Sequence, residues 1–136
     1  MEPRFEWINE PSQWQGDAER LTVWTDARTD FWQETFYGFR HDNGHAYVAP
    51  VAGDFTLSAS VTGSYEVLYD QAGLMLRIDG AHWIKCGIEQ TDGMMHFSVV
   101  VTNGFSDWSV VPLPDATPRD EIQTRLTRHG DAVRVQ

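Results

Sequence analysis

Residues 55–104 alternate between apolar and polar side chains with period two, and tight-turn dipeptides interrupt the alternation. No other feature constrains the fold as strongly. Phe55, Leu57, Ala59 and Val61 alternate with Thr56, Ser58, Ser60 and Thr62. Successive side chains of a β-strand point to opposite faces, so this segment reads as a strand with one apolar face. The pattern recurs three times. Leu74, Leu76 and Ile78 alternate with Gly73, Met75, Arg77 and Asp79. Ile84, Cys86 and Ile88 alternate with Trp83, Lys85, Gly87 and Glu89, and Met95, Phe97, Val99 and Val101 with His96, Ser98, Val100 and Thr102. Asp79–Gly80 and Asp92–Gly93 separate these three segments and Asn103–Gly104 closes the last. Such pairs tolerate the left-handed conformations of a hairpin turn. The expectation is a meander of three strands with a fourth before it.

Shorter strands are expected at Phe5–Ile8, Leu21–Thr25, Phe36–Phe39, His45–Val51, Trp108–Val111, Ile122–Arg128 and Ala132–Gln136, and no segment carries helical periodicity over ten residues. Many short strands with turns every eight to twelve residues predict an all-β, two-sheet antiparallel sandwich. An up-and-down barrel is the competing architecture. At 136 residues the chain suits one domain, residues 1–136, with a core large enough to need no disulfide. The Pro-bearing stretch 112–118 is the expected long connection. The chain stops inside the last hairpin, at Gln136. An edge strand is normally covered or blunted, so the expectation is that another chain covers it, as in a homodimer through an exposed sheet edge, or that the polypeptide is C-terminally truncated.

Charge narrows the partners. Residues 1–114 carry 16 acidic against 6 basic side chains, whereas the remainder is balanced by Arg119, Arg125, Arg128 and Arg134. A body at net −10 repels phosphate backbones and anionic membranes, so neither nucleic acid nor membrane is an expected partner. The single cysteine, Cys86, excludes an intrachain disulfide, and the first residues hold no apolar run of signal-peptide length. The expected location is therefore cytoplasmic.

Several segments resemble the DUF1349 family of regulation-of-enolase-like proteins. They are Tyr69-Asp70-Gln71-Ala72-Gly73-Leu74-Met75-Leu76-Arg77, Trp83-Ile84-Lys85-Cys86-Gly87-Ile88-Glu89, Val100-Val101-Thr102-Asn103-Gly104 with Ser106-Asp107-Trp108-Ser109, and Thr29-Asp30-Phe31-Trp32. The resemblance implies a concanavalin A-like jelly roll of the lectin/glucanase kind and brings no settled activity with it.

The polar faces of the central strands carry the candidate site. Trp83, Lys85 and Glu89 share one face of a strand, Arg77 the matching face before it and His96 the one after. A large ring beside charged hydrogen-bonding groups suits a carbohydrate or a small polar metabolite, with Trp83 as the stacking ring. The competing reading is a solvated outer face with Lys85 and Glu89 as simple charge complements. The jelly-roll resemblance favours a site, because that superfamily binds on its concave sheet. Gln71, Asp107 and Trp108 are expected on loops flanking the strands, where function concentrates. His41-Asp42-Asn43-Gly44-His45 reads as an Asn-Gly hairpin turn rather than a metal site, with His45 within reach of a cleft. A calcium site from Asp26 and Asp30 lacks an ordered ligand ladder. No metal and no cofactor is expected.

Glycoside hydrolysis needs two carboxylates about 5–9.5 Å apart. Two and four residues before Glu89 stand Gly87 and Lys85, so Glu89 is the one carboxylate on its strand face. Cys86 points to the core side and is not a nucleophile. The sequence therefore reads as a non-catalytic binding domain connected with carbohydrate metabolism. The alternatives are a glycoside hydrolase or lyase using Glu89, and a protein-interaction module acting on a metabolic enzyme.

Overall fold

The computed structural model describes residues 2–136, which form thirteen strands and no helix. No helix there is long and apolar enough to cross a membrane. The chain divides into two compact units, Met1–Val51 and Ala52–Gln136.

The second unit is a β-sandwich. Its larger sheet has the order β11-β10-β9-β8, with β8 at Gln71–Asp79, β9 at His82–Thr91, β10 at Met94–Asn103 and β11 at Phe105–Pro112. All neighbours are antiparallel. The facing sheet has the order β13-β12-β7, with β7 at Phe55–Val61, β12 at Ile122–His129 and β13 at Ala132–Val135. The expected meander is present and gains β11 as a fourth strand. The strand expected to lead it, β7, sits instead in the other sheet and pairs with β12. Residues between Pro112 and Ile122 connect the two sheets, as the Pro-bearing stretch suggested.

Alternation decides what fills the sandwich. Leu74 and Cys86, opposite each other in register, pack with Leu126 of the facing sheet and with Phe55, Ala59, Leu76, Val99, Val133 and Val135. Tyr65, Ile88 and Met95 form a neighbouring cluster with Leu113, Ala116 and Ile122. Each fully buried side chain of this size contributes about 1.5–3 kcal/mol. Ile78 departs from its expected inward direction. A register shift between Arg77 and Asp79 takes it out of the ladder and leaves it 85% exposed.

Turn chemistry follows the sequence closely. Asp92 and Gly93 both have positive φ, 50° and 76°, as a two-residue hairpin requires. At the β8–β9 turn, Asp79 Oδ1 accepts from the Ala81 N–H at 2.8 Å and from His82 Nδ1 at 2.7 Å. These bonds, the His82 one foremost, hold the Asp79 carboxyl below its ordinary range. Its folded value is depressed, so its contribution is complete above the ordinary carboxylate range and is lost as pH falls through the folded value.

The first unit consists of three antiparallel pairs. β1 (Glu6–Ile8) pairs with β6 (Ala46–Val48), β2 (Gln13–Gly16) with β3 (Leu21–Trp24), and β4 (Phe31–Gln33) with β5 (Arg40–Asp42). Phe5, Trp7, Trp14 and Tyr47 cluster with ring centroids 5.0–5.8 Å apart. Two expectations fail here. Asn43–Gly44 is not a hairpin turn, because β5 and β6 lie in different sheets. The Asn43 side chain instead accepts from the Asp30 N–H and donates to the Arg28 carbonyl, both at 2.9 Å. Phe36–Phe39 is not a strand. The Thr35 N–H donates to the Gln33 carbonyl and the Tyr37 N–H to that of Thr35, each at 2.8 Å. These are two successive γ-turns centred on Glu34 and Phe36, whose φ values are +61° and +67°. Left-handed backbone at such side chains costs on the order of 1–3 kcal/mol each.

Candidate functional site

The register of the larger sheet stacks its polar face into cross-strand rows, since residues directly opposite in antiparallel pairs share a face. Gln71, Glu89 and His96 form one row. Next come Gly73, Gly87 and Ser98, then Met75, Lys85, Val100 and Trp108, then Arg77, Trp83, Thr102 and Ser106. The expected set of Arg77, Trp83, Lys85, Glu89 and His96 is thus gathered on one surface, and Gln71 and Trp108 join it.

The middle row has a strip without side chains. A Cβ on Gly87 would stand 2.6 Å from Gly73 Cα and nearer still to the Ala72 carbonyl oxygen. One on Gly73 would stand 2.7 Å from Gly87 Cα and nearer to the Cys86 carbonyl. The two backbones approach so closely that only glycine fits either position. Polar groups rise on one side of the strip and Lys85 on the other.

Burial differs along the face. Trp83 is only 3% exposed, its Nε1 donates to the Gly80 carbonyl at 3.2 Å, and the Lys85 ammonium lies 5.6 Å from its ring centroid. Trp83 is therefore not the open stacking ring expected from alternation; it is a buried support that holds Lys85 by cation–π attraction. Glu89 and His96 are 4% and 5% exposed. The His96 Nδ1–H donates to the Met94 carbonyl at 3.1 Å, which leaves Nε2 as the ring nitrogen not used in that bond. Gln71, Arg77, Lys85 and Trp108 remain half-buried.

Two aromatic side chains offer what Trp83 does not. Trp108 reaches diagonally into the neighbouring row and donates from Nε1 to Ser98 Oγ at 3.1 Å. Tyr69 meets it edge-on, with centroids 6.2 Å apart. Sequence reading missed Tyr69. Its φ of +71° turns it out of the strand path, and Asp70 fixes the preceding turn by accepting from the Glu66 and Val67 N–H groups, both at 2.9 Å. A bulky residue at positive φ leaves no mark in an alternation pattern.

The other candidates fall elsewhere. Asp107 and Trp108 are not loop residues: Asn103 pairs directly with Phe105, so β11 begins at once. Alternation then puts Asp107 on the face opposite Trp108, exposed and opposite Val101. Gln71 opens β8 rather than preceding it. His45 belongs to the first unit. Its Nε2 accepts from the Asp26 N–H at 3.1 Å and its Nδ1–H donates to the Asn9 carbonyl at 2.6 Å, so both ring nitrogens serve local structure. Asp26 accepts from the backbone and hydroxyl of Ser12, and the hydroxyl bond foremost holds its carboxyl low. Asp30 accepts from the Phe31 N–H at 2.7 Å. Among the described residues, no group of three or more His, Cys, Asp or Glu side chains could hold a metal.

Glu89 is the one carboxylate in the four rows. Asp79 ends β8 beyond the register shift, Asp92 occupies a turn, and Asp107 lies on the other face. Cys86 is 4% exposed within the sandwich, and burial pushes its thiol up to about 11. We expect no reaction with Ellman's reagent at pH 8 in the native state and one equivalent released in denaturant. Rapid native labelling would show that the sandwich opens there.

A family model described as "Protein of unknown function (DUF1349)" matches residues 7–136. The chain belongs to the DUF1349 family. Regulation of enolase protein 1 of Saccharomyces cerevisiae is 52% identical to this DUF1349 chain over 130 residues, 96% of the chain and 65% of the yeast protein. An uncharacterised protein of Emericella nidulans is 29% identical over 99 residues, 69% of the chain and 50% of its own length. The chain thus spans between half and two thirds of these curated relatives. A crystal structure of a functionally unknown Saccharomyces cerevisiae protein superposes with a TM-score of 0.90 at 45% identity, covering 97% of this chain and 70% of that one.

Proposed function

We propose that this DUF1349 chain is a non-catalytic, cytoplasmic binding domain that takes a carbohydrate or a small polar metabolite on the polar face of the β8–β11 sheet. The observation that carries the reading is the arrangement of that face. A side-chain-free Gly73–Gly87 strip runs between Gln71, Glu89 and His96 on one side and Lys85 on the other, with the Trp108 and Tyr69 rings beside it. Hydroxyl groups of a ligand suit these donors and acceptors, and the rings would pack its apolar face.

The test is a thermal-shift and calorimetric titration with glucose, maltose and glucose 6-phosphate at millimolar concentration. Lys85→Ala is expected to weaken a binding sugar about tenfold, the roughly 1.5 kcal/mol of a charge-assisted hydrogen bond. The unliganded melting temperature should stay nearly unchanged. Silence across the panel would remove the reading's support. Turnover of an oligosaccharide that vanishes in Glu89→Gln would replace it with the hydrolase reading.

A second reading has an observation of its own. The yeast relative carries the name of a regulator of enolase, and the first unit holds an exposed aromatic loop suited to contact with a protein. On this reading the chain regulates a metabolic enzyme, enolase, by touching it.

A further inference from the structure

The loop joining β4 and β5 is closed by hydrogen bonds and apolar at its tip. The Glu34 N–H donates to the Phe39 carbonyl and the Gly38 N–H to the Glu34 carbonyl, both at 2.7 Å. Trp32 Nε1 donates to the Thr35 carbonyl at 3.0 Å, and Arg40 Nε to Glu34 Oε1 at 2.9 Å. This network enforces the two left-handed turns. Its result is that Phe36 stands 92% exposed. Backbone held in a rare conformation to present an apolar ring to water is the kind of arrangement that marks a working surface.

We propose that this loop docks onto a folded protein, with Phe36 as the knob entering an apolar hole framed by basic side chains. The proposal rests on the second reading above and names its contact site. A sugar platform needs an open ring face. Tyr37 and Phe39 lie on each other at 5.0 Å and 19°, His41 lies 4.4 Å from Phe39, and Trp32 meets Tyr37 at 5.8 Å. Phe36 meets Tyr37 edge-on at 4.8 Å yet is 92% exposed against 37% for Tyr37 and 39% for Phe39, so it projects furthest, which suits insertion and not stacking. Charge chooses between a protein and a membrane. The described residues up to Val51 carry nine carboxylates against four arginines, a balance that repels anionic headgroups and matches a basic rim.

The experiment measures binding of the full chain to purified enolase by biolayer interferometry, with Phe36→Gly beside it. Glycine adopts a φ of +67° freely, so the variant is expected to melt at the same or a higher temperature. Its affinity is expected to fall at least tenfold. Phe36→Leu, which keeps an apolar knob, should fall between the two. Binding by the wild type with an undiminished Phe36→Gly variant would overturn the docking site while leaving the regulatory reading in place. No binding by the wild type at 100 µM would overturn both.

Discussion

Gly87→Ala is expected to lower stability by about 2–5 kcal/mol. Two terms combine. The Gly87 φ of +153° lies where L side chains seldom go, a cost of roughly 1–2 kcal/mol. The new Cβ would also stand 2.6 Å from Gly73 Cα and closer to the Ala72 carbonyl oxygen. Backbone cannot rotate aside as a flexible side chain can, so overpacking adds about 1–3 kcal/mol. For a chain of this size that is a fall of roughly 7–17 °C in melting temperature. Gly93→Ala supplies the comparison. Its φ is +76° with no atom within 4 Å of the added methyl, so it should lose only the conformational term. Equal melting temperatures for the two variants would show that β8 and β9 do not approach as described.

Trp83→Ala should be at least as damaging, at about 3–5 kcal/mol, because a ring only 3% exposed leaves a cavity when removed. This separates support from recognition. The ring holds Lys85 and hydrogen-bonds the β8–β9 turn, so its loss should broaden the unfolding transition and lower its midpoint before any ligand is added. Trp108→Ala, by contrast, removes a half-buried ring and should weaken ligand more than it weakens the fold. A Trp83→Ala variant with wild-type melting temperature would return Trp83 to the role of an open stacking ring.

These two residues also show what the sequence could and could not convey. Period two placed Leu74, Cys86 and Ile88 toward the sandwich core and Lys85, Glu89 and His96 away from it, because pleating fixes side-chain direction once a strand is known. The Asp92–Gly93 turn was legible from its conformational needs. Alternation separates two faces but does not say which stays wet, so Trp83 read as exposed when it is buried. Nor does it resolve local exceptions. The bulge beside Ile78, the positive φ of Tyr69 and the γ-turns at Glu34 and Phe36 are set by hydrogen bonds between residues whose spacing carries no period. The short strands β2, β4 and β5 escaped for a related reason: three or four residues give alternation little to register. His45 looked available because its partners, Asn9 and Asp26, lie 36 and 19 residues away in the chain.

The central claim is that the polar face of the β8–β11 sheet holds a ligand, and a ¹H–¹⁵N correlation spectrum titrated with glucose, maltose and glucose 6-phosphate tests it most directly. The account predicts saturable shifts at the Trp108 indole N–H, the Gln71 side-chain amide and the backbone amides of Lys85, Glu89 and His96, with the 34–39 loop unmoved. Spectra that stay unchanged at millimolar sugar, or shifts confined to residues outside those four rows, would contradict it.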